Sequence, residues 1–249
     1  MGVAGEETTE LGAAEGEASL KVDVGHFVEV DYTIRVKDTG ELVDTTLEDE
    51  GRKAGWTEKI YGPRLSIVGK GYLLRAIEEA LIGMGESETK IVEVAPERAF
   101  GQRDPAKVKV IPLRRFKDVD QPLAVGMKVV VDGREGYIRS IESGRVQVDF
   151  NHRLAGKTLV TEIRVVKILR DDAEKVYSLI RAFIPEATGE NTVVKVNKPE
   201  VSVKLSREIY SLSGINLAKQ AIARETLENL QGVEKVVFVE EYVKEQPSG

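Results

Sequence analysis

From residue 28 to residue 36 the chain reads Val-Glu-Val-Asp-Tyr-Thr-Ile-Arg-Val, with apolar and polar side chains taking turns. A period of two predicts a half-buried β-strand. Lys37-Asp38-Thr39-Gly40 reads as a turn, and Glu41-Leu42-Val43-Asp44 begins a second strand. The short apolar run Leu65-Ser66-Ile67-Val68 stops at Gly69. Leu73, Leu74, Ile77, Leu81 and Ile82 then recur at helical spacing as far as Gly83-Met84-Gly85, and Lys90-Ile91-Val92-Glu93-Val94 alternates again. A sheet with one short helix packed across it is an α+β arrangement.

The texture changes near Lys107. Val108, Val110, Leu113 and Phe116 lead into a run from Val125 to Val131, which includes Met127, and then into the hairpin signal Asp132-Gly133. Two further strands, Tyr137 to Ile141 and Arg145 to Phe150, flank Glu142-Ser143-Gly144. This small all-β unit, placed at 105–152, is short for independent stability and suits an insertion anchored at both ends. Leu159 to Ile168 reads as the strand that completes the first sheet, which therefore spans 21–104 and 153–171. Beyond it Val176, Leu179, Ile180 and Phe183 mark a helix that stops before Pro185. Strands follow at Thr192–Val196 and Glu200–Leu205, then a second helix through Ile215, Ala218, Ile222, Thr226 and Leu230, closed by Gly232. Val236 to Val239 closes an α-β-β-α-β domain at 172–245, expected to form a two-layer α/β sandwich.

Composition narrows the chemistry. The 249 residues are 41% hydrophobic and 31% charged, with a net charge of −6, so a nucleic-acid partner held by phosphate contacts is not expected. With no cysteine there is no disulfide or thiolate chemistry. His26 and His152 stand far apart in sequence, and neither a metal site nor a cofactor is expected. Residues 1–20 are acidic, with no basic or apolar leader segment, and read as a disordered tail. No run approaches the roughly 20 apolar residues of a membrane span. A cytoplasmic protein with no membrane partner is the default expectation.

Four stretches in order carry a family resemblance: Gly40-Glu41-Leu42-Val43-Asp44-Thr45, Ile77-Glu78-Glu79-Ala80-Leu81-Ile82-Gly83-Met84, Ala95-Pro96-Glu97-Arg98-Ala99-Phe100-Gly101 and Asn151-His152-Arg153-Leu154-Ala155-Gly156-Lys157-Thr158-Leu159. Together, over roughly Val22 to Leu169, they resemble the SlyD-like and archaeal long-type FKBP peptidyl-prolyl cis-trans isomerases. The resemblance implies an FKBP-like antiparallel sheet wrapping a short helix, with the β unit inserted in its flap. It implies isomerisation of X-Pro bonds in unfolded or partly folded proline-containing polypeptides. It places Tyr32, Asp44 and Phe100 at the catalytic pocket, and Val43, Leu73, Leu74, Ile77 and Thr161 around the substrate. Phe100 stands for a family tyrosine, Thr161 for a phenylalanine and Ile77 for a tryptophan.

On the same resemblance the insert holds unfolded clients through Val125, Met127 and Tyr137. The C-terminal sheet is expected to leave an edge through which two copies pair. The rival reading is a non-catalytic client-binding module on the same scaffold, motivated by Phe100 and Thr161. A nucleic-acid-associated factor using the β insert has little residue support.

Overall fold

The computed structural model describes residues 20–116 and 121–242; the expected tail at 1–20 lies outside them but for Leu20. The first sheet is built on β1 (Phe27–Val36), whose far half pairs β2 (Leu42–Thr45) and whose near half pairs β3 (Arg64–Ile67) on the same side. Its other side carries the long β9 (Leu159–Leu169), which in turn pairs β4 (Thr89–Val94), all antiparallel. Two helices belong to this lobe: α1 (Glu48–Lys53) and α2 (Arg75–Leu81). The alternation read from the sequence is physical. Val28, Val30, Tyr32, Ile34 and Val36 all face one core, which they share with Ile77 and Leu81 of α2 and with Leu159, Ile163 and Val165 of β9.

The opposite face of the sheet is covered at one end and exposed at Ile91, Glu162 and Arg164. Phe27, Leu65, Ile67 and Leu169 turn away from that core into a second one, built with the C-terminal part of the chain. There α3 (Asp172–Phe183) lies against the sheet through Val176, Leu179 and Ile180. Its start is fixed by Asp171, whose Oδ1 accepts the Glu174 N–H at 3.0 Å, a common N-cap. Beyond α3 come β10 (Thr192–Asn197) and β11 (Glu200–Leu205), antiparallel to each other, then α4 (Arg207–Tyr210), α5 (Ile215–Asn229) and β12 (Lys235–Glu240), which runs parallel to β11. The one-turn α4 and the parallel β12 refine the expected order. A bulge in β9 lets that one strand serve both cores. Glu29 pairs Lys167 while Val30 pairs Val165, so the inward phase slips from Val165 to Ile168 and turns Leu169 outward.

The insert is a separate four-stranded antiparallel sheet of β5 (Val108–Pro112), β6 (Lys128–Val131), β7 (Arg134–Glu142) and β8 (Arg145–Asp149), ordered β5-β8-β7-β6, so that the first strand lies beside the last. Its own core joins Phe116, Val129, Ile138, Val146 and Val148. At its root Val108 pairs Asp149, so the two ends of the insert leave the lobe side by side. Among the described residues no helix is long and apolar enough to cross a membrane.

Candidate active site

Between α2 and the concave face of the sheet lies a hollow of about 230 Å³. Ile77 is its floor, Tyr32 and Ile34 of β1 and Leu159 of β9 are its back, and Val43, Leu73, Leu74 and Phe100 stand at the sides. The period-two spacing of β1 explains why Tyr32 and Ile34 arrive together. Leu73 and Leu74 come from the segment that leads into α2, Leu74 being its N-cap, and Ile77 from the first turn of the helix. Nearly all of this surface is apolar, with polar groups confined to the lip.

At that lip the Tyr32 hydroxyl donates to Asp44 Oδ2 at 2.8 Å, and the Thr45 N–H donates to Asp44 Oδ1 at 2.9 Å. Lys59 forms an ion pair with the same carboxylate and sits 5.2 Å over the Trp56 ring. Burial, and then the charge of Asp44, push the Tyr32 hydroxyl well above the usual phenol range, so it remains a protonated donor under any ordinary condition. The resemblance assigned Tyr32 and Asp44 to one pocket, where the structure has them hydrogen-bonded, but gave no hint of Lys59, which comes from a loop of irregular pattern. Trp56 is a half-buried anchor of the same loop, and its carbonyl accepts the Tyr61 hydroxyl at 2.6 Å.

Glu78 organises the helix entry. It is 4% exposed, and no cation among the described residues pairs with it. Its Oε1 accepts Ser66 Oγ–H at 3.2 Å and the Leu73 N–H at 3.1 Å, while Oε2 accepts the Gly69 and Gly71 N–H groups at 3.0 and 3.1 Å. Gly69 and Gly71 have φ of 88° and 81°, the left-handed region that lets successive amides converge on one carboxylate. Four hydrogen bonds from one buried group therefore fix the loop that carries Tyr72, Leu73 and Leu74. The signal was present as Glu78 in an otherwise apolar helical stripe.

The segment Asn151 to Leu159 fastens the insert and the hollow at once. Asn151 exchanges two hydrogen bonds of 2.9 Å with the backbone of Asp104 and donates to Asp149 Oδ1 at 2.8 Å. The buried Asp149 is further paired with Arg103 and, at 3.1 Å, with Arg139. One residue on, the His152 ring stacks on Phe100 with centroids 4.4 Å apart and planes 6° apart. The Gly156 N–H donates to the Gly101 carbonyl at 2.8 Å, and Leu159 reaches the back of the hollow. His152 is thus the backing of the Phe100 wall.

Thr161 requires a correction. It is completely buried and is not among the residues that line the hollow; its Oγ1 has no hydrogen-bond partner among the described residues. The β9 wall is supplied by Leu159, two residues earlier on the same face. A phenylalanine at position 161 would overpack the core rather than restore a pocket wall. In the insert, Val125 is exposed, whereas Met127 and Tyr137 are half-buried, and Met127 packs on the insert core. Val130 on β6 and Val110 on β5 are exposed apolar residues on the two edge strands that the sequence reading did not single out.

Family models match three parts of the chain: "FKBP-type peptidyl-prolyl cis-trans isomerase" over 19–115, "FKBP26, IF domain" over 109–154 and "FKBP26_C-terminal" over 172–243. A short-type peptidyl-prolyl cis-trans isomerase of Methanocaldococcus jannaschii is 36% identical over 152 residues, covering 60% of this chain and 96% of that protein. The FKBP-type 16 kDa peptidyl-prolyl cis-trans isomerase of Escherichia coli K12 is 33% identical, over 51% of this chain and 89% of its own. SlyD of the same organism is 31% identical, over 60% and 71%.

Proposed function

We propose, from the premise that this chain belongs to the FKBP-type peptidyl-prolyl cis-trans isomerases, that the hollow floored by Ile77 is where the prolyl bond turns. The observation that carries this reading is the Tyr32–Asp44 hydrogen bond at the lip of an otherwise apolar concavity. The uncatalysed barrier, about 18–20 kcal/mol, is amide resonance. A catalyst needs neither nucleophile nor base; it must bind the twisted amide better than either planar form. The planar amide is the more polar species and the better hydrated one. Seating the proline ring against Ile77, Tyr32 and Leu159 strips that water and lowers its advantage.

Orientation comes from the few polar groups in reach. The Leu74 N–H, at the N-cap of α2, is one of the donors that a helix start leaves without an intrahelical partner, and it suits a substrate carbonyl. Asp44, held by Tyr32, Thr45 and Lys59, offers a fixed negative edge beside the rotating bond. Phe100 supplies a wall and no hydroxyl, so one hydrogen bond to the substrate is forgone, worth about 0.5–1.5 kcal/mol.

The insert is proposed as the part that holds unfolded chains, which gives the protein chaperone activity. Its support is the outward face of the insert sheet, where Val130 and Tyr137 stand opposite the core-facing Val129 and Ile138, and the unpaired edges of β5 and β6. An extended chain adds to such edges through backbone hydrogen bonds with little sequence preference. A client held there presents its prolines to the hollow at raised effective concentration. The division into an isomerase lobe at 21–104 and 153–171, an insert at 105–152 and a C-terminal domain at 172–245 belongs to the same proposal. So do a cytoplasmic setting and the pairing of two copies through an edge of the β10-β11-β12 sheet.

Asp44→Ala and Tyr32→Phe test the site. Each loses a hydrogen bond involving a charged group, about 1.5–3 kcal/mol, so kcat/KM on a prolyl tetrapeptide should fall roughly tenfold or more while the far-ultraviolet circular dichroism stays unchanged. Full activity in both folded variants would move the site elsewhere.

A further inference from the structure

Next to the hollow, and open to it, is a larger cleft of about 450 Å³ between β3 and the end of α3. Tyr32, Asp44, Tyr72 and Leu73 line both spaces, so a chain leaving the hollow on this side enters the cleft directly. Its far wall, with Arg181, Phe183 and Pro185, comes from the C-terminal part of the chain. Tyr72, on the boundary, donates its hydroxyl to Glu225 of α5 at 3.1 Å. On the near wall Tyr61 is seated against Gly51 of α1, where any side chain would collide with its ring.

Two carboxylates and two guanidiniums line the cleft, and no ion pair among the described residues joins one to the other. Of the two carboxylates that line it, Asp44 is engaged by Lys59 and Tyr32, and Glu29 accepts the Ser178 hydroxyl at 2.9 Å. The two guanidiniums, Arg64 and Arg181, are exposed and make no ion pair with any described residue. A guanidinium held at the edge of an aromatic-walled cleft is a forked donor for a carboxylate.

We propose that this cleft receives the residues flanking the substrate proline and selects chains with an acidic side chain there, Arg64 and Arg181 being the specificity residues. The inference rests on the reading of the hollow as the place of catalysis, and it gives the C-terminal part a share in substrate choice.

The test is kcat/KM on matched peptides with Glu, Gln or Lys placed in turn at each position on either side of the proline. At one position or more the wild type should prefer Glu over Lys by about fivefold, the scale of exposed ion pairs, and high salt should erase the preference. Arg181→Gln should reduce the ratio, Arg64→Gln with Arg181→Gln should bring it to one, and Arg181→Lys should keep most of it. A merely structural role for either arginine would scale the Glu and Lys peptides together. Equal rates on Glu, Gln and Lys peptides at every position would overturn the proposal. Absence of acceleration on every peptide would instead overturn the placement of catalysis in the hollow, and the cleft's role would fall with it.

Discussion

The insert and the C-terminal part hang from the same sheet, but the insert brings a core of its own while the C-terminal part shares the sheet's. Phe116, Val129, Ile138, Val146 and Val148 close on one another, and the insert touches the lobe chiefly through the polar neck at Asp104, Asp149 and Asn151. The C-terminal helices and strands form one continuous apolar cluster with Phe27, Leu65, Ile67 and Leu169. A polar neck leaves the packing of the lobe largely independent of the insert. A shared core makes two regions one cooperative unit, whatever their separation in sequence.

Removing residues 172–242 should therefore have the largest effect. It would uncover four side chains that are each at most 7% exposed. At about 1.5–3 kcal/mol apiece, the loss approaches the whole stability of an ordinary domain. Urea unfolding should show a lobe that is largely unfolded or aggregated without denaturant. A truncated lobe that unfolds cooperatively within about 2 kcal/mol of the full chain would break the comparison.

Next in size is Glu78→Ala, which strikes what the lobe supplies by itself. Three backbone N–H groups and one hydroxyl lose a charged acceptor. Hydrogen bonds to charged groups are worth about 1.5–3 kcal/mol each; after water replaces some of them, a net loss of roughly 3 kcal/mol is expected. The isomerase kcat/KM should fall with it, because Leu73 and Leu74 lose their fixed loop. Chemical denaturation and a tetrapeptide assay on the same preparation would show whether the two losses travel together.

The smallest effects come from the contacts that each appended part makes with the hollow. His152→Ala removes the stack behind Phe100, worth about 0.5–1.5 kcal/mol, so a two- to tenfold drop in kcat/KM with little change in stability is expected. Tyr72→Phe removes the bond to Glu225 and should cost less than about threefold, since that bond lies at the rim. If Tyr72→Phe cost more than His152→Ala, the C-terminal part would control the hollow more closely than the segment returning from the insert.

Much of this was legible along the chain. The alternation of β1 placed Tyr32 and Ile34 on the buried face, and Leu73, Leu74 and Ile77 do meet, although the first two precede α2 instead of lying within it. What escaped has common physical causes. Leu65-Ser66-Ile67 reads as an apolar run, yet Ser66 faces Glu78 while its apolar neighbours face α3; a strand buried on both sides hides which face is which. The β9 bulge shifts phase by one residue, which no alternation reveals. Lys59 and the short α1 sit in a charged, Gly-containing stretch with no period to read. Thr161 was placed by motif position rather than by geometry, and a two-residue step along one strand face put Leu159 there instead.

The account turns on a division of labour: the hollow does the chemistry and the insert does the holding. The most direct test deletes Val108 to Val148 and joins Lys107 to Asp149 by a short glycine linker, a junction the structure favours because the Phe150 N–H already bonds the Lys107 carbonyl at 3.0 Å. Isomerisation of a prolyl tetrapeptide and of a proline-limited refolding protein would be followed with the same enzyme. The expected result is tetrapeptide kcat/KM within about twofold of the full chain, with acceleration of refolding sharply reduced. Loss of both activities to the same degree in a folded variant, or refolding catalysis left intact, would contradict it.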